Sequence, residues 1–182
     1  SHTVGLSLPE APAGAAAVDL TLRRSEIAET AGAGVELRGG AGSVELRGVV
    51  IANAGADAID ADRADGLDLT LLQITVVGAV GAAVHLRGDW GGGVASVRGN
   101  VLQGCGASWR VSGIAPSAAP TNNIVFQTGP ADGWLPDGEL AQDPLLRALS
   151  DDGDLRKADL RLQCTSPGFD LLPPDPATDD AD

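Results

Sequence analysis

The chain has 182 residues, about the length of one domain, and its 43% hydrophobic and 20% charged residues exclude wholesale disorder. A net charge of −13, with Lys157 as the one lysine, excludes a nucleic-acid binder, whose phosphate contacts need clustered bases. No apolar run reaches the roughly 18 residues that a membrane-spanning helix needs, and 25 Gly with 11 Pro point to many short elements joined by tight turns.

The chain opens Ser1-His2-Thr3 without an initiator Met, which suggests a mature or recombinant segment whose targeting signal was removed or never included. Residues 1–14, with Val4-Gly5-Leu6-Ser7-Leu8 followed by Pro9 and Pro12, are expected to cap one end of the fold or to be the remnant of a preceding coil.

From residue 15 to about 130 the sequence repeats itself. Leu20-Thr21-Leu22-Arg23-Arg24-Ser25-Glu26-Ile27 aligns with Val44-Glu45-Leu46-Arg47-Gly48-Val49-Val50-Ile51. The next copies are Leu67-Asp68-Leu69-Thr70-Leu71-Leu72-Gln73-Ile74 and Ala95-Ser96-Val97-Arg98-Gly99-Asn100-Val101-Leu102. The anchors Ile27, Ile51, Ile74 and Leu102 are 24, 23 and 28 residues apart, and Ile124-Val125-Phe126 fits a fifth copy. Each copy has a second half: Val35-Glu36-Leu37-Arg38, Ile59-Asp60-Ala61-Asp62, Val84-His85-Leu86-Arg87 and Trp109-Arg110-Val111-Ser112. Alternation over four or five residues signals a half-buried strand. Pieces this short, with Gly and Ala between them, cannot make the helices of βαβ units.

Several short strands per repeat of about 24 residues are the arithmetic of a parallel β-helix. The expected fold is all-β: a right-handed parallel β-helix of about four or five coils with a non-repetitive C-terminal capping segment. Side chains one coil apart then stack in columns, here Leu20/Val44/Leu67/Ala95, Leu22/Leu46/Leu69/Val97 and Ile27/Ile51/Ile74/Leu102. An antiparallel β-sandwich competes, but hairpin turn signals are scarce, Asp65-Gly66 being the main one.

Residues 131–172 form the expected C-terminal loop and cap, and 173–182 an acidic Pro/Asp linker. Residues 131–182 hold 13 acids and 4 bases, so the negative charge is concentrated there. Cys105 and Cys164 are an even pair, equally open to one disulfide or to two buried thiols.

Gln142-Asp143-Pro144-Leu145-Leu146, then Leu160-Arg161-Leu162, then Ser166-Pro167-Gly168-Phe169-Asp170 resembles the ending of secreted β-helix proteins. With Asn122-Asn123-Ile124-Val125-Phe126 before it, the chain resembles the right-handed β-helix proteins of the pectate-lyase-like superfamily. The resemblance covers residues 15–172. It implies an exported or cell-surface protein, often one that binds or acts on polysaccharide, and the C-terminal part of a longer solenoid. It supplies no active site.

On the outward face of the first repeat strand, Glu45 and Asp68 are expected one coil apart, beside Arg23, Arg47 and Arg98. Such a carboxylate pair would suit a glycosidase or a cation; the plainer reading is a salt-bridged solvent face. A second outward row is Glu36, Asp60, His85, Arg110, flanked by Arg38, Asp62 and Arg87. It can form a groove for a charged sugar, with His85 moving protons, or be a hydrated surface. Trp90 and Trp134 lie in Gly-rich loops, where exposed rings would stack on sugars, whereas Trp109 falls on a repeat strand and plugs the core. No cofactor is indicated: Ca²⁺ has no motif, because Asp132, Asp137 and Asp151-Asp152-Gly153-Asp154 lack the full ligand series, and the two cysteines match no zinc pattern. The leading expectation is a non-catalytic exported module, structural or carbohydrate-binding, monomeric or part of a longer chain. The alternatives are a fragment of a polysaccharide lyase or glycoside hydrolase, and an adhesion or self-association module.

Overall fold

The computed structural model describes residues 5–9, 17–39, 42–63, 66–134, 136–148, 159–163 and 165–167. Among them there is no helix. The strands are β1 (Leu6–Leu8), β2 (Val18–Arg23), β3 (Glu26–Ala28), β4 (Val35–Arg38), β5 (Gly42–Arg47), β6 (Val50–Ala52), β7 (Ile59–Arg63) and β8 (Leu67–Leu72). They continue as β9 (Thr75–Val77), β10 (Ala82–Asp89), β11 (Ala95–Arg98), β12 (Val101–Gln103), β13 (Ala107–Ile114), β14 (Ile124–Phe126), β15 (Leu146–Ala148) and β16 (Asp159–Leu162).

Every third strand pairs in parallel with the last. The first sheet runs β1-β4-β7-β10-β13, the second β2-β5-β8-β11 and the third β3-β6-β9-β12-β14. The chain therefore visits three sheets per lap and rises by one strand spacing, about 4.8 Å. The result is an all-β parallel solenoid of about four turns. Leu6–Leu8 is one rung of it, paired in parallel with Val35–Leu37.

The core is a set of vertical columns. Val35, Ile59, Val84 and Trp109 form one, Leu37, Ala61, Leu86 and Val111 another. On the other two sheets the register corrects the expected columns. Leu69, not Leu67, stacks between Val44 and Ala95, and Leu71, not Leu69, between Leu46 and Val97. Val76, not Ile74, lies between Ile51 and Leu102. The third coil is shifted by two residues, a slip that leaves every side chain on its own face. In the lowest coil Leu6, Leu8, Leu20, Leu22 and Ile27 are only partly buried, whereas Val35, Leu37 and Leu46 above them are fully enclosed.

The corners use left-handed backbone. Arg24, Gly48, Gln73, Gly99 and Asn122 all have positive φ between the second and third sheets, and Glu29, Asn53, Gly78, Gly104 and Gln127 follow the third. One such residue redirects the chain without a loop, which is why Gly recurs there. At the upper end Trp109 meets Trp134 edge to face, with centroids 6.0 Å apart and the rings at 74°. The antiparallel pair β15–β16 is not part of the coils. Leu146 shares a small apolar cluster with Ala28, Ala52 and Val77, on the outer side of the third sheet.

Candidate functional site

The outer face of the second sheet does not hold the expected carboxylate pair. Glu45 lies beside Thr21 and Thr70, while Asp68 lies beside Ser43, because the third coil is shifted by two. Glu45 instead accepts a hydrogen bond from Arg23 at 3.3 Å. Asp68 accepts the N–H of Val94, on the next lap, at 3.1 Å. The arginine row is interrupted too, since Leu72 stands between Arg47 and Arg98. This face is a solvated one.

The outer face of the first sheet is the row read from the sequence. Ser7, Glu36, Asp60, His85 and Arg110 are in direct register, with Arg38, Asp62, Arg87 and Ser112 alongside. Its middle is not hydrated, however: Asp60 is 4% exposed and His85 7%. Arg87 clamps Asp60 with two contacts, Nε to Oδ1 at 2.8 Å and Nη2 to Oδ2 at 2.9 Å. Arg38 approaches the same carboxylate at 3.3 Å and also bonds Glu36. Burial pushes the Asp60 carboxyl above the usual range, and the nearby guanidiniums of Arg87 and Arg38 oppose the push.

Below this row lies a residue that the strand pattern does not mark. Asp57, in the turn before β7, is 8% exposed. Its Oδ2 is 2.9 Å from His85 Nδ1, and its Oδ1 accepts the N–H of Ala82 at 2.7 Å. On the other side of the ring, His85 Nε2 is 2.8 Å from the hydroxyl of Ser112. A carboxylate can only accept, so Nδ1 carries a proton toward Asp57; in the neutral ring that leaves Nε2 to accept from Ser112. Arg110 Nη1 lies 3.8 Å from Asp57 Oδ1. Ser112 itself is exposed. The signal for Asp57 is a carboxylate in a corner column otherwise filled by Ala33, Ala82 and Ala107.

Asp57, Asp60 and His85 offer three possible metal-ligand atoms within 4.8 Å of one another. Those atoms already face Arg87, Arg38 and Ala82 N–H, so a cation would have to displace two guanidiniums from Asp60. The donor set fits a charge-compensated network better than a metal centre.

The tryptophans are not sugar platforms. Trp90 is fully buried and Trp134 is 4% exposed. Trp90 Nε1 donates to the carbonyl of Arg87 at 2.7 Å, under the Arg63 guanidinium, and Trp134 Nε1 donates to that of Ala118 at 3.0 Å. Gly-rich flanks suggested exposed tips; in a solenoid such loops fold back over the coil, and the rings fill its core. Trp109 is likewise buried in the core. The thiol of Cys105 is buried, which raises its pKa; Cys164, Asp151, Asp152, Asp154 and the 173–182 linker lie outside the described residues. A cleft of about 300 Å³ between Gly93–Val97 and Ser117–Thr121 holds no charged side chain.

No protein-family model, curated protein or solved structure matches this chain.

Proposed function

We propose that the chain is a module of the pectate-lyase-like type, exported or carried at the cell surface, that binds polysaccharide along the outer face of its first sheet. The observation that supports this is the register of that face: Ser7, Glu36, Asp60, His85 and Arg110 follow one another across successive strands. Ser7, Glu36 and Arg110 of this row reach solvent, on either side of the buried Asp60 and His85, and a chain of sugars presents hydroxyls that can donate to or accept from such groups.

The charges favour a neutral or weakly charged chain. Glu36, Asp57, Asp60 and Asp62 stand against Arg38, Arg87 and Arg110, whereas a polyanion would call for an excess of bases. With all three Trp buried, recognition rests on hydrogen bonds rather than stacking. Ser112 is exposed, and the side chains of Arg87 and Arg110 are 40% and 38% exposed, so these groups on the upper strands of the row are open to a sugar.

The test is electrophoresis through gels carrying neutral glucan, xylan, galactan or polygalacturonate. Retardation by a neutral polysaccharide, lost in Arg110→Ala with the fold intact by circular dichroism, is expected. Unchanged mobility of the wild-type protein in every gel refutes the proposal.

A further inference from the structure

We propose that Ser112, His85 and Asp57 form a nucleophilic relay that hydrolyses carboxylic esters, of the kind carried by acylated sugars. The inference goes beyond polysaccharide binding and stands without it, since the relay is defined by its own geometry. Three contacts carry it: Ser112 Oγ to His85 Nε2 at 2.8 Å, His85 Nδ1 to Asp57 Oδ2 at 2.9 Å, and Asp57 Oδ1 to the Ala82 N–H at 2.7 Å. Nucleophile, base and orienting carboxylate are therefore joined end to end, each within hydrogen-bond reach of the next.

The burial pattern suits the roles. Ser112 is exposed, while His85 and Asp57 are 7% and 8% exposed. The nucleophile faces solvent, and the base behind it is shielded and held in one tautomer. Three adjacent laps supply the three residues, from the turn before β7, from β10 and from β13. Each lap is fixed by backbone pairing: His85 is in register with Arg110, and Arg87 with Ser112. The site is thus preorganised on rigid strands.

The steps balance. Ser112 Oγ bonds to the ester carbonyl carbon as its proton passes to His85 Nε2, and Asp57 stabilises the imidazolium through Nδ1–H. The carbon–alkoxy bond then breaks, and the leaving alcohol takes the proton from Nε2. Water attacks the acyl-serine, gives a proton to His85, and the acid departs as Ser112 regains its hydrogen. Ester and water become acid and alcohol, with no other reactant.

A cation lies beside Ser112 for the negative charge that develops on the carbonyl oxygen. Arg110 precedes Ser112 by two residues and shares its face of β13. The charged groups facing His85 are Asp57, Asp60, Arg87 and Arg110.

The test uses the whole chain with a fluorophosphonate probe and with p-nitrophenyl acetate. Intact mass and peptide mapping should place one phosphonyl adduct on Ser112. Ester hydrolysis should fall at least about a hundredfold in Ser112→Ala, the scale of losing a nucleophile and its general base. Ser112 is exposed, so this variant should melt like the wild type. Asp57 acts through His85 as a positioning residue: Asp57→Asn should suppress labelling at neutral pH by favouring the tautomer with Nε2 protonated. Labelling elsewhere or not at all, or equal hydrolysis by wild type and Ser112→Ala, overturns the relay. Because both probes are small, that failure is separate from a failure to bind polysaccharide.

Discussion

Asn100 and Asn123 stack one lap apart inside the solenoid: the Nδ2 of Asn100 donates to the Oδ1 of Asn123 at 2.9 Å, and its backbone N–H donates to the same oxygen at 3.0 Å. Asn100 Oδ1 in turn accepts the N–H of Ile74 at 2.7 Å. Both side chains are buried, at 2% and 0% exposure. The corner between the second and third sheets leaves these backbone groups without strand partners, and the amides supply them.

Asn100→Ala should therefore cost about 2–4 kcal/mol, because it orphans a buried N–H as well as losing hydrogen bonds. Asn100→Asp should cost more, since it places a charge there and removes the donor to Asn123. Urea unfolding followed by circular dichroism measures both. A loss below about 0.5 kcal/mol for Asn100→Ala would show that water replaces the amide.

Trp90 predicts a result that separates core from binding surface. It is fully buried, and its indole N–H is satisfied by Arg87 O. Trp90→Ala should destabilise by about 3–5 kcal/mol. Wild-type tryptophan emission should be blue-shifted, resistant to iodide, and unchanged by any polysaccharide that retards the protein. Quenching on sugar addition would put a ring back at the surface.

Backbone proximity at the corners gives a third expectation. A Cβ at Gly129 would lie 2.0 Å from the carbonyl oxygen of Gly106, one lap below. That oxygen belongs to a fixed rung and cannot swing aside as a side chain would. Gly129→Ala should lower stability by about 1–3 kcal/mol through forced backbone movement. A thermal melt equal to wild type would mean that the upper lap shifts freely.

The repeat made the fold legible because each lap must present the same inward pattern to bury its share of a continuous core. It left the register of the third lap open by two, since Leu67, Leu69 and Leu71 are equally apolar and alternate alike. What fixes that register is not hydrophobicity but pairing: Leu67 sits opposite Gly42, and Thr70 between Glu45 and Ser96. The same slip separated Glu45 from Asp68. On the first sheet, the expected row Glu36, Asp60, His85 and Arg110 matches the register, because each lap offers there a single short apolar–polar–apolar stretch. Asp57 and Ser112 carry no such mark in the sequence, as one lies in a turn and the other toward the end of a strand. Their connection to His85 exists only once three laps are stacked.

Glu139 gives a pH-dependent expectation. Its Oε1 accepts the indole N–H of Trp109 beneath the upper end of the solenoid. Burial pushes this carboxyl above the usual Glu range, and the indole hydrogen bond only partly opposes it. The folded state therefore keeps the proton to higher pH than the unfolded chain does. Stability from this group is fully present below the ordinary Glu range and is lost as pH rises through the folded value. Glu139→Gln retains an acceptor for Trp109 and carries no charge. The variant should match the wild type in acid and be more stable than it at neutral pH, by a margin that partial exposure keeps small. Melts in acid and at neutral pH measure it, and a variant less stable than wild type at neutral pH would mean that the ionised carboxylate holds Trp109 better than a neutral amide can.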